Sequence, residues 1–106
     1  MIKSIFPLEA KNLIDENKSL KLIDVREPWE HSIAKLHNSV LIPLREFQKH
    51  IDSFTKSDTF LIYCHHGIRS FYACDYMIQQ GFKNVYNLKG GIDAWSREID
   101  RTINKY

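Results

Sequence analysis

Apolar residues recur along this chain in two rhythms. Dense short runs have the length and the β-branched or aromatic content of buried strands: Leu20 to Val25, Val40-Leu41-Ile42 closed by Pro43, 59–63, and Asn84 to Leu88. Ser4-Ile5-Phe6 is a further short strand or an entry segment. Between the runs the apolar spacing changes to three and four. Pro7 suits a first helical position, with Leu8, Leu13 and Ile14 as the apolar face. Arg26-Glu27-Pro28-Trp29-Glu30 is a turn leading into a short helix. Leu44, Phe47, Ile51 and Phe54 predict a helix over 44–54 with one buried face. Another is predicted over about 70–80, with Gly81 where a C-terminal cap belongs. Gly90-Gly91 makes a turn, and Ile92-Asp93-Ala94-Trp95 starts a last helix. Residues 98–106 are polar and are expected to fray.

Strands alternating with helices imply an α/β domain, a parallel sheet covered on both faces. In such sheets ligands sit beyond the carboxyl ends of the strands. Cys64 falls at such an end, on the loop Cys64-His65-His66-Gly67-Ile68-Arg69-Ser70. With 106 residues and no linker-like stretch, the reading is one domain, 1–106. A hydrophobic fraction of 43% suffices for a modest core, so the long apolar runs are assigned to packing. The net charge of +2 and the scattered basic residues argue against a nucleic-acid face. Two cysteines ten residues apart do not make a disulfide scaffold. The N-terminus lacks the pattern of a signal peptide, and no apolar run reaches membrane-spanning length. These features point to a soluble protein of the cytoplasm, away from membranes.

A cysteine between a strand and a helix N-terminus is placed for anionic sulfur chemistry, because loop amides and the helix dipole stabilise a thiolate. If Cys64 takes a sulfane sulfur, the resulting Cys–S–S⁻ needs donors around it, and a tight turn with inward amides supplies them. Gly67 permits positive φ or close approach of a ligand. Arg69 adds a cation and a planar fork suited to an oxyanion such as thiosulfate. Ser70 can cap the helix and leave its amide for the anion.

Three segments resemble the rhodanese-like single-domain sulfurtransferases, over about Phe6 to Trp95. They are Leu22-Ile23-Asp24-Val25-Arg26-Glu27-Pro28, the Cys64–Ser70 loop, and Asn87-Leu88-Lys89-Gly90-Gly91-Ile92-Asp93-Ala94-Trp95. The resemblance implies a three-layer sandwich, a mostly parallel central sheet with helices on both faces. It implies that Cys64 carries a persulfide, that His65, His66, Gly67, Ile68, Arg69 and Ser70 form the substrate and anion loop, and that Asp24 and Arg26 support the structure. It implies sulfur transfer from a donor such as thiosulfate to cyanide, a thiol or a protein, with no metal and no organic cofactor. A family glycine position is occupied here by Asn38, within Lys35-Leu36-His37-Asn38-Ser39, and asparagine also adopts left-handed backbone.

Other readings compete. A relay or protein-binding module with little thiosulfate turnover would use the same loop. Phosphatases with a related cysteine loop place five residues between Cys and Arg, whereas four lie between Cys64 and Arg69; the smaller cradle favours sulfur. Cys64 as an inert buried thiol leaves Gly67 and Arg69 without a purpose. Cys74 falls in the apolar pattern of its helix and is read as core, with a resolving cysteine as the alternative. Adjacent histidines on a tight turn rarely converge on one ion, so His65 and His66 are read as one pocket-lining ring and one solvent-facing ring. Arg26 is expected in a buried pair with Asp24 or Glu27. Trp29 and Trp95 are expected as core anchors, and Gly90-Gly91 simply as a turn.

Overall fold

The computed structural model describes residues 2–106. Side chains along each central strand alternate between two apolar layers, as a sheet buried on both faces requires. The strands are β1 (Lys3–Ile5), β2 (Lys21–Asp24), β3 (Val40–Leu41), β4 (Thr59–Tyr63) and β5 (Asn84–Leu88). They pair in the order β1-β5-β4-β2-β3, and every pairing is parallel. Helices α1 (Pro7–Glu16), α2 (Pro28–Ile33), α3 (Phe47–Ile51), α4 (Ile68–Gln79) and α5 (Gly91–Glu98) make the crossovers and flank the sheet.

On one face Phe60, Ile62 and Cys64 of the β4 line pack with Ile23, Phe47, Ile51, Ala73, Cys74 and Met77. On the other, Leu61 and Tyr63 pack with Leu22, Ala10, Leu88, Ile92 and Trp95. Cys74 is fully buried, in keeping with a core role. The fold is the expected α/β sandwich.

Four local expectations need correction. The 44–54 helix is a 3-10 turn at Leu44–Glu46 followed by α3, which stops at Ile51. Phe54 still packs against the core, tilted on Phe60 with centroids 5.3 Å apart. Leu8 is exposed, and α1 buries Pro7 and Ala10 instead. Trp29 is 59% exposed rather than a core anchor, because α2 turns Glu30 inward in its place. The tail does not fray: Ile99, Ile103 and Tyr106 pack onto the second core cluster. Its few apolar residues are enough to return it to the body of the fold. At the departure from the family pattern, Asn38 has φ of 65°, the left-handed conformation its residue type tolerates.

Candidate functional site

β4 delivers Cys64 to the C-terminal edge of the sheet, where the chain turns tightly into α4. Gly67, at φ 99°, occupies the N-cap of α4. That left-handed residue turns two amides onto the sulfur: the N–H of Gly67 donates to Cys64 Sγ at 3.1 Å and that of Ser70 at 3.3 Å. A sulfur facing two converging N–H groups at a helix start is set in the environment an anion needs. The carbonyls of the same loop are held from outside. The amide of Ile92 donates to Cys64 O at 2.9 Å and that of Asp93 to His65 O at 3.1 Å. The first turn of α5 thus fixes which way the loop peptides face. Gly90-Gly91, read from sequence as a plain turn, is what lets α5 come so close.

Ser70 does not cap α4; Gly67 stands at that position. Ser70 is the third residue of the helix, within its first turn, and is fully buried. Its hydroxyl donates to Asn87 Oδ1 at 2.5 Å and sits 3.3 Å from Cys64 Sγ. Asn87 Nδ2 in turn donates to Gly67 O at 3.2 Å. A side chain of β5 therefore ties together the sulfur's hydroxyl neighbour and the glycine of the turn. Sequence reasoning missed Asn87. Its only signal was a polar residue in the middle of an apolar strand, beside the Gly90-Gly91 turn.

Arg69 points along the other side of the loop and closes on Glu30. Its Nη1 donates to Oε2 at 2.6 Å and its Nη2 to Oε1 at 2.8 Å, a bidentate pair. Glu30 also accepts from the Glu27 amide, completing the capping box of α2, and from the Tyr106 hydroxyl at 3.0 Å. Burial pulls the Glu30 carboxyl upward, but these donors outweigh it and hold the group at about 2. The same pairing raises Arg69. Glu30 and Tyr106 were both missed. Their partners lie 39 and 76 positions apart in sequence, beyond any local pattern.

Tyr106 brings the tail to the loop. Its ring stacks on His65 with centroids 4.1 Å apart, meets Trp29 edge-on at 5.9 Å, and its hydroxyl accepts from Arg26 Nη1. His65 stacks on His66 in turn, at 4.1 Å. Burial and then the neighbouring His66 push the His65 ring toward its neutral form. Beneath this stack, Arg26 and Asp24 are both fully buried and joined by two side-chain hydrogen bonds of 2.8 Å. Asp24 also accepts from the Tyr63 hydroxyl and the Arg26 amide, and Arg26 reaches the Ala34 carbonyl. A buried ion pair so fully hydrogen-bonded fixes the end of β2 relative to the turn into α2.

Among the described residues one group has metal-ligand character: His65, His66 and Asp93, with donor atoms within 4.8 Å of one another. The set does not fit an ion well. The two imidazoles are stacked at 19°, so their lone pairs run side by side rather than converging, and Asp93 is engaged by Arg97. A cleft of about 360 Å³ adjoins the loop, walled by Gly67, Ile68, Phe71, Tyr72 and Lys89. A larger one of about 690 Å³ has no loop residue in its lining, and its size alone gives it no chemistry. No helix among the described residues is long and apolar enough to cross a membrane.

Comparison with known proteins agrees with this geometry. The rhodanese-like domain family matches residues 6–98. The thiosulfate sulfurtransferase GlpE of Coxiella burnetii is 32% identical over 95 residues, covering 90% of this chain and 88% of that protein. A rhodanese-like/PpiC domain-containing chloroplastic protein of Arabidopsis thaliana is 42% identical over 91 residues, where the chain spans only 30% of the longer protein. The crystal structure of a rhodanese-like domain protein from Staphylococcus aureus superposes with a TM-score of 0.82 at 31% identity, covering 98% of each chain. Fold, loop and relatives agree: the chain belongs to the rhodanese-like domain family.

Proposed function

We propose that this protein is a sulfurtransferase that carries sulfane sulfur as a persulfide on Cys64. The observation that supports this most directly is Sγ facing the amides of Gly67 and Ser70. The Cys64 thiolate attacks the outer sulfur of a donor such as thiosulfate. A new S–S bond forms, the donor's S–S bond breaks, and its electron pair leaves with sulfite. The terminal persulfide sulfur is then held by the loop amides until a thiophilic acceptor, cyanide or a thiol or a protein, takes it. This is double displacement through a covalent intermediate. His65, His66 and Ile68 form the rim, Gly67 shapes the turn, Arg69 stiffens it through Glu30, and Asp24 with Arg26 supports it from below. A reducing compartment such as the cytoplasm would keep Cys64 free.

The intact mass of the protein after incubation with thiosulfate tests the reading. One added sulfur atom is expected on the wild type, discharged by cyanide and absent from Cys64→Ser. Equal loading of Cys64→Ser would sink it. A second reading, a relay module that passes sulfur only to or from a docked protein, is favoured by the exposure of Ile68, Phe71 and Tyr72 beside the loop. Turnover of small thiols as fast as of any protein acceptor would count against it. Phosphoryl transfer is disfavoured by the small cradle, with four residues between Cys64 and Arg69 where phosphatases with a related cysteine loop place five.

A further inference from the structure

One residue beyond the matched domain grips the cysteine loop at two points. The family match ends at residue 98, and Tyr106 lies past it. The tail that carries Tyr106 is anchored: Ile99 and Ile103 pack on the second core cluster, and Asn104 Nδ2 donates to Ile33 O at 3.1 Å. At one end of the loop stands His65, the residue after Cys64. Tyr106 stacks on its ring at 4.1 Å and 12°, and His66 stacks on it at 4.1 Å and 19°. Two rings so near and so nearly parallel to His65 must take its opposite faces, so Tyr106 closes the stack from outside the loop. At the other end stands Arg69. The Tyr106 hydroxyl lies 3.0 Å from Glu30 Oε1, the oxygen that also accepts from Arg69 Nη2 at 2.8 Å. The same hydroxyl accepts from Arg26 Nη1, which has only protons to offer, so the phenol proton goes to Glu30. The hold of α5 on the loop is made on the carbonyls of Cys64 and His65. It leaves the His65 ring and the Arg69 fork to side-chain partners, and Tyr106 serves both.

We propose that Tyr106 is a positioning residue for sulfur transfer. Its ring on His65 and its hydroxyl on Glu30 hold both ends of the cysteine loop, in the geometry that keeps the Gly67 and Ser70 amides on the sulfur. This rests on Cys64 being the sulfur carrier. Tyr106 acts through His65 on one side and through Glu30 and Arg69 on the other, not on Sγ itself. The two amides must stay aimed while Sγ gains and gives up a sulfur atom, and donors already fixed in place cost no reorganisation at the moment of attack. A loop held only by its carbonyls spends time in arrangements where the amides miss the sulfur. The loss on releasing Tyr106 therefore falls on turnover rather than on donor binding.

Steady-state sulfur transfer from thiosulfate to cyanide, followed as thiocyanate, tests the proposal in the whole chain. Tyr106→Ala is expected to lower kcat by about tenfold and to change KM for thiosulfate by less than about twofold. Tyr106→Phe keeps the stack, loses the hydroxyl bridge, and should lower kcat by about threefold at most. His65→Ala removes the ring that Tyr106 covers. In that background Tyr106→Ala should cost no more than Tyr106→Phe costs the wild type, because only the hydroxyl route is left to lose. Phe82→Leu serves as the stability control. It loosens the core at the opposite edge of the sheet, where Phe82 meets Phe60 edge-on at 5.4 Å, and should keep the wild-type kcat. Four results would each overturn the proposal while leaving Cys64 as carrier: an unchanged kcat in Tyr106→Ala, a loss confined to KM, fully multiplicative effects of Tyr106→Ala and His65→Ala, or a Phe82→Leu as slow as Tyr106→Ala. A wild type whose Cys64 gains no sulfur from thiosulfate, read by intact mass, removes the carrier reading and the proposal with it.

Discussion

Gly91 and Cys64 meet backbone to backbone, with no space between them for a methyl group. A Cβ on Gly91 would lie 2.5 Å from the Cys64 carbonyl oxygen and closer still to the His65 carbonyl. Gly91 also has φ of 62°, which other residues adopt only with strain. The neighbouring amides of Ile92 and Asp93 need this approach to reach the same two carbonyls. Gly91→Ala is therefore expected to destabilise the fold by about 3 kcal/mol, summing overpacking and backbone strain. In a domain of this size that lowers the melting temperature by roughly 10 °C or more. A thermal melt checks it, and a shift of only a degree or two would mean the loop yields easily.

Ser70 and Asn87 allow a graded prediction. Asn87 Nδ2 donates to Gly67 O and Ser4 Oγ, which fixes its amide and leaves Oδ1 to accept from Ser70. Ser70→Ala removes that donor from a buried acceptor and should cost about 1–2 kcal/mol. It keeps both backbone amides on the sulfur, so sulfur loading should slow by about tenfold at most. Asn87→Ala takes the side-chain donor from the Gly67 carbonyl and the oxygen acceptor from the Ser70 hydroxyl, and should cost more in stability than Ser70→Ala. Urea unfolding and loading rates by mass spectrometry test the order.

Cys74 stands on α4 with its thiol buried, and burial first, then Cys64, pushes that thiol up. Such a group is a poor resolving nucleophile. Cys74→Ala is expected to leave Cys64 loading and discharge unchanged while costing about 1 kcal/mol of core packing. A persulfide that failed to discharge in this variant would restore the resolving-cysteine reading.

The Tyr106 ring covers one face of His65 and ties the tail to Arg26 and Glu30. Tyr106→Phe loses only the hydroxyl contacts and should cost about 1–2 kcal/mol. Tyr106→Ala also removes the stack, so the His65 ring protons should lose the upfield ring-current shift a ring at 4.1 Å imposes. Proton spectra of the two variants distinguish the effects. An unchanged His65 signal in Tyr106→Ala would show that the tail does not rest there in solution.

The sheet was legible because its strands carry dense β-branched and aromatic runs, and β4 and β5 fall where the pattern puts them. The cysteine loop was legible because strand, Cys, Gly, Arg and helix follow one another within a few residues. What was not legible is long-range. Glu30 sits in a capping box whose local logic is complete without Arg69. Tyr106 ends a polar run that reads as loose until Trp29, Arg26 and His65 are in place to receive it. Trp29 misled in the other direction: its size argues for the core, but the turn of α2 gives the inward position to Glu30, where an arginine waits.

Glu30 also sets a pH dependence whose sign is fixed. Burial raises its carboxyl, yet the Arg69, Glu27 and Tyr106 donors outweigh that and hold it at about 2, against an ordinary 4.5. A carboxyl depressed on folding contributes stability that is fully present above its unfolded value. That stability fades as pH falls from about 4.5 toward 2, because the unfolded chain takes up the proton first. A shift of this size corresponds to roughly 3 kcal/mol. The wild type should therefore lose urea resistance steeply between about pH 5 and 2. Glu30→Gln, with nothing to titrate there, should start less stable at neutral pH and show a shallower acid limb, the two curves converging near pH 2. Parallel limbs would mean that the Glu30 carboxyl titrates alike in the folded and unfolded chains, and that Arg69 is not held by it in solution.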